Sequence, residues 1–461
     1  MTGPVTLVIP GDLHAELLNA AGQELETAGV LLAGLVTPGD GTRLMATGIR
    51  WCPPASYAER HQDGLRITSD GYVPALAEAE ADGLTALWLH THPGDGASPR
   101  PSRHDKIVDD QLGDLFRLRT GNGWYGSVVI AAHGGRLRFT GHLDSGTGTV
   151  SVTRLWSVGD RFQLVHHEDH APAEPDSAFD RNVRAFGGPV QATLSDLTVG
   201  IVGCGGTGSA VAEQLARLGV RRFILTDPDM LSASNVTRVY GSTPARVGAR
   251  KVDVLGDLIA SIAPGAHTVR DASMLTVQAA ARRLAGADVL FGCTDDNAGR
   301  MVLSRLASYL LVPVIDCGVL LSSGPSGLLE GINGRVTILA PGSACLICRG
   351  RIDQARAATE LLTPEERTRR LDEGYAAALP GAEPAVVTFT TAVAAAAVTE
   401  LLERLTGFGP EPVPSELILR LHDREVSVNR QAPGAGHYCD PAAGKLGLGH
   451  AEPFLEQMWS A

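Results

Sequence analysis

Glu26, the pair His90 and His92, and the run Ser102-Arg103-His104-Asp105 are the residue types of a one-zinc hydrolase. Two imidazole nitrogens and a carboxylate oxygen, with one position left open, are what a catalytic zinc requires. His90 and His92 lie two apart at the end of an apolar strand candidate, so both rings leave the same face. Pro93 ends that strand, and Asp105 opens a helix-compatible segment thirteen residues after His92. Zinc brings the pKa of water toward neutrality, and a nearby carboxylate such as Glu26 can remove and then deliver the proton. Ser102 is spaced to hydrogen-bond a developing oxyanion. Alone, paired His at a strand end are usually structural; all the elements in order point to a metal hydrolase.

A second set reads as a nucleotide site. Gly203-x-Gly205-Gly206-x-Gly208 follows an apolar strand and opens a helix, the context that gives this pattern meaning. Such glycines allow a tight turn and close backbone approach to phosphate, and the helix N-terminus favours the negative charge. Asp227, at the end of the next strand, is placed to hydrogen-bond a ribose hydroxyl, with Asp229 just behind it. To this point an NAD-dependent dehydrogenase fits equally well. Asn235, Arg238 and Lys251 then follow Asp227 at offsets of 8, 11 and 24, and Asp295 sits directly after another strand. A dehydrogenase has no need of such a cluster beside the phosphates. An enzyme directing attack on the α-phosphate of ATP does, because cations neutralise charge building on the triphosphate and a carboxylate such as Asp295 can hold Mg²⁺.

The first set resembles the JAMM (Jab/MPN) metalloproteases, on Glu26 to Gly34, His90-x-His92-Pro93 and Ser102-x-x-Asp105. The loop through Gly94-Asp95-Gly96-Ala97-Ser98 is longer than is usual there. That resemblance implies Zn²⁺ on His90, His92 and Asp105, with Glu26 as base, and cleavage at the C-terminus of a ubiquitin-like protein. The second set resembles the ubiquitin-activating-enzyme-like superfamily in its simple ThiF/MoeB form, over about 178–440. It rests on Gly203 to Gly208, Asp227-Pro228-Asp229, Asn235-Val236-Thr237-Arg238, Gly248-Ala249-Arg250-Lys251 and Asp295. A Gln usually follows the Arg in that family segment; here it is Val239. The resemblance implies Mg·ATP-driven adenylation of the C-terminal glycine carboxylate of a small ubiquitin-like protein ending in Gly-Gly. Phe179-Asp180-Arg181-Asn182 looks like the family segment whose Arg reaches the partner subunit's ATP site, which implies a homodimer.

Cys345 and Cys348 resemble the first half of the superfamily's structural four-cysteine zinc site. The second half is only His437-Tyr438-Cys439, so the expected set is Cys345, Cys348, Cys439 and His437, with an awkward spacing of two between the last pair; unmetallated thiols are the other reading. No cysteine falls between Arg349 and Phe389, where conjugating members carry a thioester nucleophile. Cys204, Cys293 and Cys317 read as small core fillers. The activated carboxylate is then expected to pass to an external nucleophile such as a sulfur donor. The rivals are a bacterial ubiquitin-like conjugation and deconjugation system, defence among its roles; adenylation of a peptide natural product or a tRNA base; and a scaffold without turnover.

The elements that must position these residues are α/β throughout. Strands are expected at 29–35, 85–92, 124–132, 137–142 and 153–158, with a helix-compatible piece at 23–27. From Asp196 the pattern becomes βαβ, with strands at 197–202, 222–226, 287–293 and 312–317. Helices are expected at 208–218, 251–262 and 386–405. Apolar strands alternating with helices imply a Rossmann-like parallel sheet covered on both faces. The organisation is a JAMM-type α/β domain at 1–143, a linker at 144–177 centred on the polar run His166 to Pro175, and an adenylation domain at 178–461. A chain of 461 residues with 44% apolar content supports two cores. The net charge of −12 disfavours nucleic acid as main partner. Seven scattered cysteines, no basic apolar leader, and a polar-interrupted 385–402 lead to the expectation of a cytoplasmic chain that does not span a membrane.

Overall fold

The computed structural model describes residues 4–39, 41–94, 99–323, 329–372 and 385–459. Of the long loop expected between His92 and Ser102, Asp95 to Ser98 lie outside the described residues. The chain forms two compact units. One is Met1–Pro172 with Tyr309–Leu311 and Leu446–Glu456, and the other holds Ala173–Ser308, Val312–Lys445 and Gln457–Ala461.

The first unit runs β1 (Val5–Pro10), α1 (Gly11–Ala21), β2 (Ala28–Val36), β3 (Thr42–Trp51), β4 (Tyr57–Arg60), β5 (Leu65–Ile67), α2 (Val73–Asp82), β6 (Thr85–Thr91), α3 (Arg103–Thr120), β7 (Tyr125–His133), β8 (Arg136–Asp144), β9 (Thr149–Val158) and β10 (Gln163–His166). The sheet order is β1-β3-β2-β6-β7-β8-β9-β10, and β9 also pairs with β1, so the sheet closes on itself. Closure removes two edges that would otherwise be left unpaired. β2 is apolar without alternation because both faces are covered. Leu31 and Ala33 pack with Leu7, Leu87 and Val128, while Ala28, Val30 and Leu32 pack against Leu76 of α2 and Phe116 of α3. The same parity puts Ala86, Trp88 and His90 of β6 on the face that α3 covers. Ala28 pairs with His90, so Glu26, two residues earlier, arrives beside that histidine.

Two expectations change here. Residues 23–27 are not helical: α1 ends at Ala21, and the Glu26 N–H donates to the His61 carbonyl at 2.9 Å. Residues 144–177 are not a linker through most of their length, because β9 and β10 belong to the sheet. β10 pairs with β9, and β9 pairs with β1 some 150 residues upstream, which local pattern does not reveal. The unit boundary falls within the polar run, at Pro172/Ala173.

The second unit runs α4 (Asp180–Phe186), α5 (Gly188–Asp196), β11 (Thr198–Val202), α6 (Gly206–Arg217), β12 (Arg222–Thr226), α7 (Lys251–Ile262), β13 (His267–Asp271), α8 (Gln278–Leu284), β14 (Val289–Gly292), α9 (Asn297–Tyr309), β15 (Val314–Ser323), β16 (Leu329–Leu339), α10 (Gln354–Glu360), α11 (Pro364–Asp372), α12 (Val387–Thr406), β17 (Glu416–Arg420) and β18 (Glu425–Asn429). Strands order as β13-β12-β11-β14-β15-β16-β17-β18. The first five are parallel, and β16 to β18 extend the sheet antiparallel. That extension was not expected from the sequence. Strand order reverses between β11 and β14, so a crevice opens outside their carboxyl ends. Among the described residues, no helix is long and apolar enough to cross a membrane.

Candidate active sites

In the first unit, β6 and the first turn of α3 bring His90, His92 and Asp105 together. The Nε2 atoms of His90 and His92 lie 3.5 and 3.4 Å from the two Asp105 oxygens. The three ligand atoms fall within 4.8 Å of one another. These separations suit a shared coordination sphere better than hydrogen bonds. His90 is 2% exposed, and neither of its ring nitrogens has a hydrogen-bond partner. A buried imidazole left unsatisfied is costly, and a cation bound at Nε2 would relieve it. The donor set therefore fits zinc, with two nitrogens, one oxygen and a fourth position open. Burial alone would raise the Asp105 carboxyl, but the two imidazoles and the Ser102 N–H hold it well below the usual carboxylate range.

Glu26 is 5% exposed, with Oε1 3.9 Å from His92 Nε2. Burial pushes its carboxyl up to about 7, against the pull of His92. Its backbone is fixed from two sides: besides the His61 contact, its carbonyl accepts from Arg60 Nε at 2.7 Å. Ser102, expected at an oxyanion, is used as a helix cap. Its hydroxyl accepts from the Asp105 N–H at 3.1 Å, while Asp105 returns a bond to the Ser102 N–H. This capping box holds Asp105 in the geometry where it meets both histidines. The hydroxyl proton remains free to donate.

In the second unit, the residues expected at the nucleotide converge on one cleft of about 1140 Å³ at the carboxyl ends of β11, β12 and β14. Gly203, Gly205, Gly206, Asp227, Asp229, Asn235, Arg238, Lys251 and Asp295 all line it. Gly208 does not. A Cβ there would lie 1.9 Å from the Gly203 carbonyl oxygen, so this glycine lets α6 pack against the loop. Gly203 sits at φ +90, where an L side chain is strained. Asp227, 5% exposed, accepts from Cys204 N at 2.6 Å and Asp229 N at 2.8 Å, tying the loop after β12 to the glycine loop. Burial raises its carboxyl despite the charge of Lys251. Lys251, first residue of α7, pairs with Asp229 at 2.6 Å. Asn235 Oδ1 accepts from Ser232 N at 3.2 Å, and Arg238 Nη1 donates to the Ser234 carbonyl at 3.0 Å.

Asp295 and Asp296 are adjacent but differently employed. Asp296 accepts from the Gly299 N–H at 3.1 Å, at the start of α9. Asp295 is exposed to the cleft and makes no hydrogen bond among the described residues, leaving its oxygens for a cation; the chemistry fits Mg²⁺. Arg181, on α4, is exposed and is not among the side chains lining its own chain's cleft. The sequence reading missed the opposite wall. Asp316, fully buried, pairs with Arg335 at 2.7 Å and lies 3.5 Å from Arg300, and both arginines face the cleft. Arg351 joins them, held on buried Glu416 at 3.0 Å. Arg300, six residues past Thr294, was within reach of the motif; Asp316 and Arg335 come from β15 and β16 and Arg351 from the segment before α10, which local spacing does not connect.

Cys345, Cys348, His437 and Cys439 also converge, their ligand atoms within 4.8 Å of one another. His437 Nδ1 lies 3.5, 3.4 and 3.3 Å from the three sulfurs, and Cys348 and Cys439 are 3.7 Å apart. Ligands at about 2.0–2.3 Å from a tetrahedral zinc would be separated by about these distances. The awkward spacing of His437 and Cys439 is resolved by a turn, the Asp440 N–H donating to the His437 carbonyl at 2.7 Å. The Cys439 sulfur, with help from the Tyr438 hydroxyl and the Cys348 N–H against burial, pushes the Cys345 thiol down to about 5. Of the three cysteines expected as core fillers, Cys204 and Cys317 are buried, but Cys293 is half-buried and opens to the cleft.

The chain is similar over part of its length to several known proteins. It is 27% identical over 202 residues to ubiquitin-like modifier-activating enzyme 5 of Oryza sativa subsp. japonica, covering 41% of this chain and 44% of that one. It is 30% identical over 179 residues to the molybdopterin-synthase adenylyltransferase of Escherichia coli (strain K12), covering 38% and 68%. The chain thus spans less than half the length of the rice relative. Among solved structures, the microcin C7 biosynthetic enzyme MccB in complex with N-formylated MccA is 17% identical, covers 57% of this chain and 75% of that chain, and has a TM-score of 0.46. The family model described as ThiF matches residues 179–432, from the helix that carries Arg181 to just past β18. That span takes in every residue gathered around the nucleotide cleft and more than half of the chain, and the chain belongs to the ThiF family.

Proposed function

We propose that the second unit adenylates the C-terminal carboxylate of a small ubiquitin-like or sulfur-carrier protein ending in Gly-Gly, and that the first unit hydrolyses a peptide or isopeptide bond at that same C-terminus. The observation that carries the reading is the convergence on one cleft of the glycine loop, Asn235, Arg238, Lys251 and Asp295. With Mg·ATP in the cleft, Lys251, now paired with Asp229, would turn to the phosphates, and Arg238 would add positive charge where pyrophosphate departs. Asp295, with Asp229 once released, would hold the Mg²⁺ that neutralises the triphosphate. Asp227 keeps the two loops in register and would lie beside the ribose. Arg181 would serve the cleft of a second copy.

In the first unit, His90, His92 and Asp105 would hold zinc, which when bound supplies Lewis acidity and a nucleophile near neutral pH. Glu26, buried beside His92, would take up a proton and hand it to the leaving amine. Structural zinc on Cys345, Cys348, Cys439 and His437 would pin the loop after β16 to the C-terminal segment. The proposed setting is the cytoplasm, with sulfur transfer from an external donor following adenylation.

The test uses one substrate with and without a C-terminal extension. The chain should catalyse ATP–pyrophosphate exchange only with the Gly-Gly form, and should cleave the extended form. Glu26→Ala should abolish cleavage and keep exchange. Absence of any substrate-dependent exchange would refute the adenylation reading, and cleavage surviving in Glu26→Ala would refute the base assignment. Exchange with a short peptide but with no protein would favour the alternative of peptide adenylation.

A further inference from the structure

Two thiols that the adenylation reading leaves without a role lie together in the nucleotide cleft. β14 and β15 run parallel with Gly292 opposite Asp316. The residue that follows each of them is a cysteine, so Cys293 and Cys317 stand side by side, and both line the nucleotide cleft. Neighbouring strands stand about 4.8 Å apart, inside the Cα separation of about 4.4–6.8 Å that a disulfide bridges. Both thiols are free, Cys317 being 4% exposed and Cys293 half-buried at the cleft wall.

Their surroundings couple them to the nucleotide machinery. The Cys293 N–H donates to the Val202 carbonyl at 2.7 Å, directly before the glycine loop. A Cβ on Gly203 would lie 2.6 Å from the Cys293 carbonyl oxygen, so loop and cysteine are already at closest approach. Asp295 follows Cys293 by two residues, and the Cys317 carbonyl accepts from Arg300 at 3.5 Å. Forming a bond between the two sulfurs would pull the segment 293–295 toward β15. The glycine loop has no slack to follow, and Asp295 would move with it.

We propose that Cys293 and Cys317 form a reversible disulfide that turns the nucleotide cleft off under oxidation. The oxidant is a peroxide. It converts the Cys293 thiol to a sulfenic acid and is itself reduced to water. The Cys317 sulfur then attacks the Cys293 sulfur, forming the S–S bond and releasing a second water. Two electrons pass from the thiol pair to the peroxide, and a dithiol reductant reverses the change by exchange. Cys293 is the entry point because it faces solvent. The adjacent Cys293 thiol and burial push the Cys317 thiol well above its usual range, so peroxide reacts first at Cys293, and Cys317 must give up its proton as it attacks in the resolving step.

The loss of turnover rests on the adenylation reading; the cross-link does not, and the two are read separately. The reduced full-length protein is treated with hydrogen peroxide, free thiols are blocked, and peptides are mapped without reduction. A peptide pair joined through Cys293 and Cys317 is expected, with exchange activity down by roughly tenfold or more, as displacement of a catalytic group by about 1 Å predicts, and restored by dithiothreitol. Cys317→Ala, compared with its own reduced activity, should keep most of it after peroxide. The proposal is overturned if Cys345, Cys348 or Cys439 oxidises while the 293–317 pair stays unlinked. It is equally overturned if the link forms with exchange unchanged, or if Cys317→Ala loses the same fraction as the wild type. Should Cys317→Ala fail to fold, the wild-type peptide map and its dithiothreitol reversal still decide.

Discussion

Burial, with the nearby Glu360 and Asp295 carboxylates, pushes the Asp296 carboxyl up from 3.8 to about 6. Above pH 6 the folded chain must keep ionised a group that the unfolded chain ionises more readily. Between about 6 and 4 the folded state binds the extra proton, so stability rises as pH falls. A shift of this size corresponds to a penalty on the order of 3 kcal/mol at neutral pH and above. Asp296→Asn keeps an acceptor for the Gly299 N–H, as Asn is an equal helix cap. The variant should therefore unfold at higher urea than the wild type at about pH 8, with the advantage shrinking below pH 6 and gone near pH 4. A gain that does not change with pH would assign it to packing instead. At this scale the sequence named residues that the fold does bring together, but not how each is employed. Ser102 caps a helix, Gly208 packs rather than binds, and Cys293 faces the cleft, because these roles depend on neighbours far along the chain.

At the scale of elements, the hairpin formed by β4 and β5 is a device for holding Glu26. Arg60 donates to the Glu26 carbonyl and, at 2.7 Å, to Thr27 Oγ1, and its guanidinium lies 4.7 Å from the Tyr57 ring centroid. The Tyr57 hydroxyl in turn accepts from the Ala28 N–H at 2.9 Å. Arg60→Met keeps the apolar stem over Tyr57 and removes the fork. On the hydrolase reading it should lower kcat for cleavage by about 10- to 100-fold, the scale of a misplaced catalytic group. Zinc content and pyrophosphate exchange should be unchanged. Loss of zinc alongside activity would make Arg60 a structural residue of the metal centre. Elements of the nucleotide side were the most legible. Strand 222–226 and helix 251–262 coincide with β12 and α7, since an unbroken apolar run bounded by a helix of clear period leaves little choice.

For the molecule as a whole, the open question is whether the site is completed by a second copy. Arg181 is exposed on α4 and absent from the wall of its own cleft, while Lys251 is within it. If Arg181 acts in trans, Arg181→Ala and Lys251→Ala should each be inactive in exchange, yet coexpression of the two should restore activity. A hybrid dimer has one site with intact Lys251 and a partner with intact Arg181, so random pairing should recover about a quarter of wild-type activity. No recovery from isolated hybrids would place Arg181 outside the chemistry.

By itself the sequence determined the ThiF-type half of the chain and the α/β alternation that carries it, and it named side chains whose types could hold zinc or a triphosphate. Those features follow from short-range rules, the two-residue period of a strand, the glycine turn before a helix, and the chemistry of the donor atoms. Only the tertiary structure decided that β9 closes the first sheet through β1, and that β16 to β18 extend the second antiparallel. It alone set Arg300 and Arg335 around buried Asp316, and brought Cys293 beside Cys317. Pairings across tens or hundreds of residues are chosen by which faces can be buried together, and that choice is made by the whole chain rather than by any window of it.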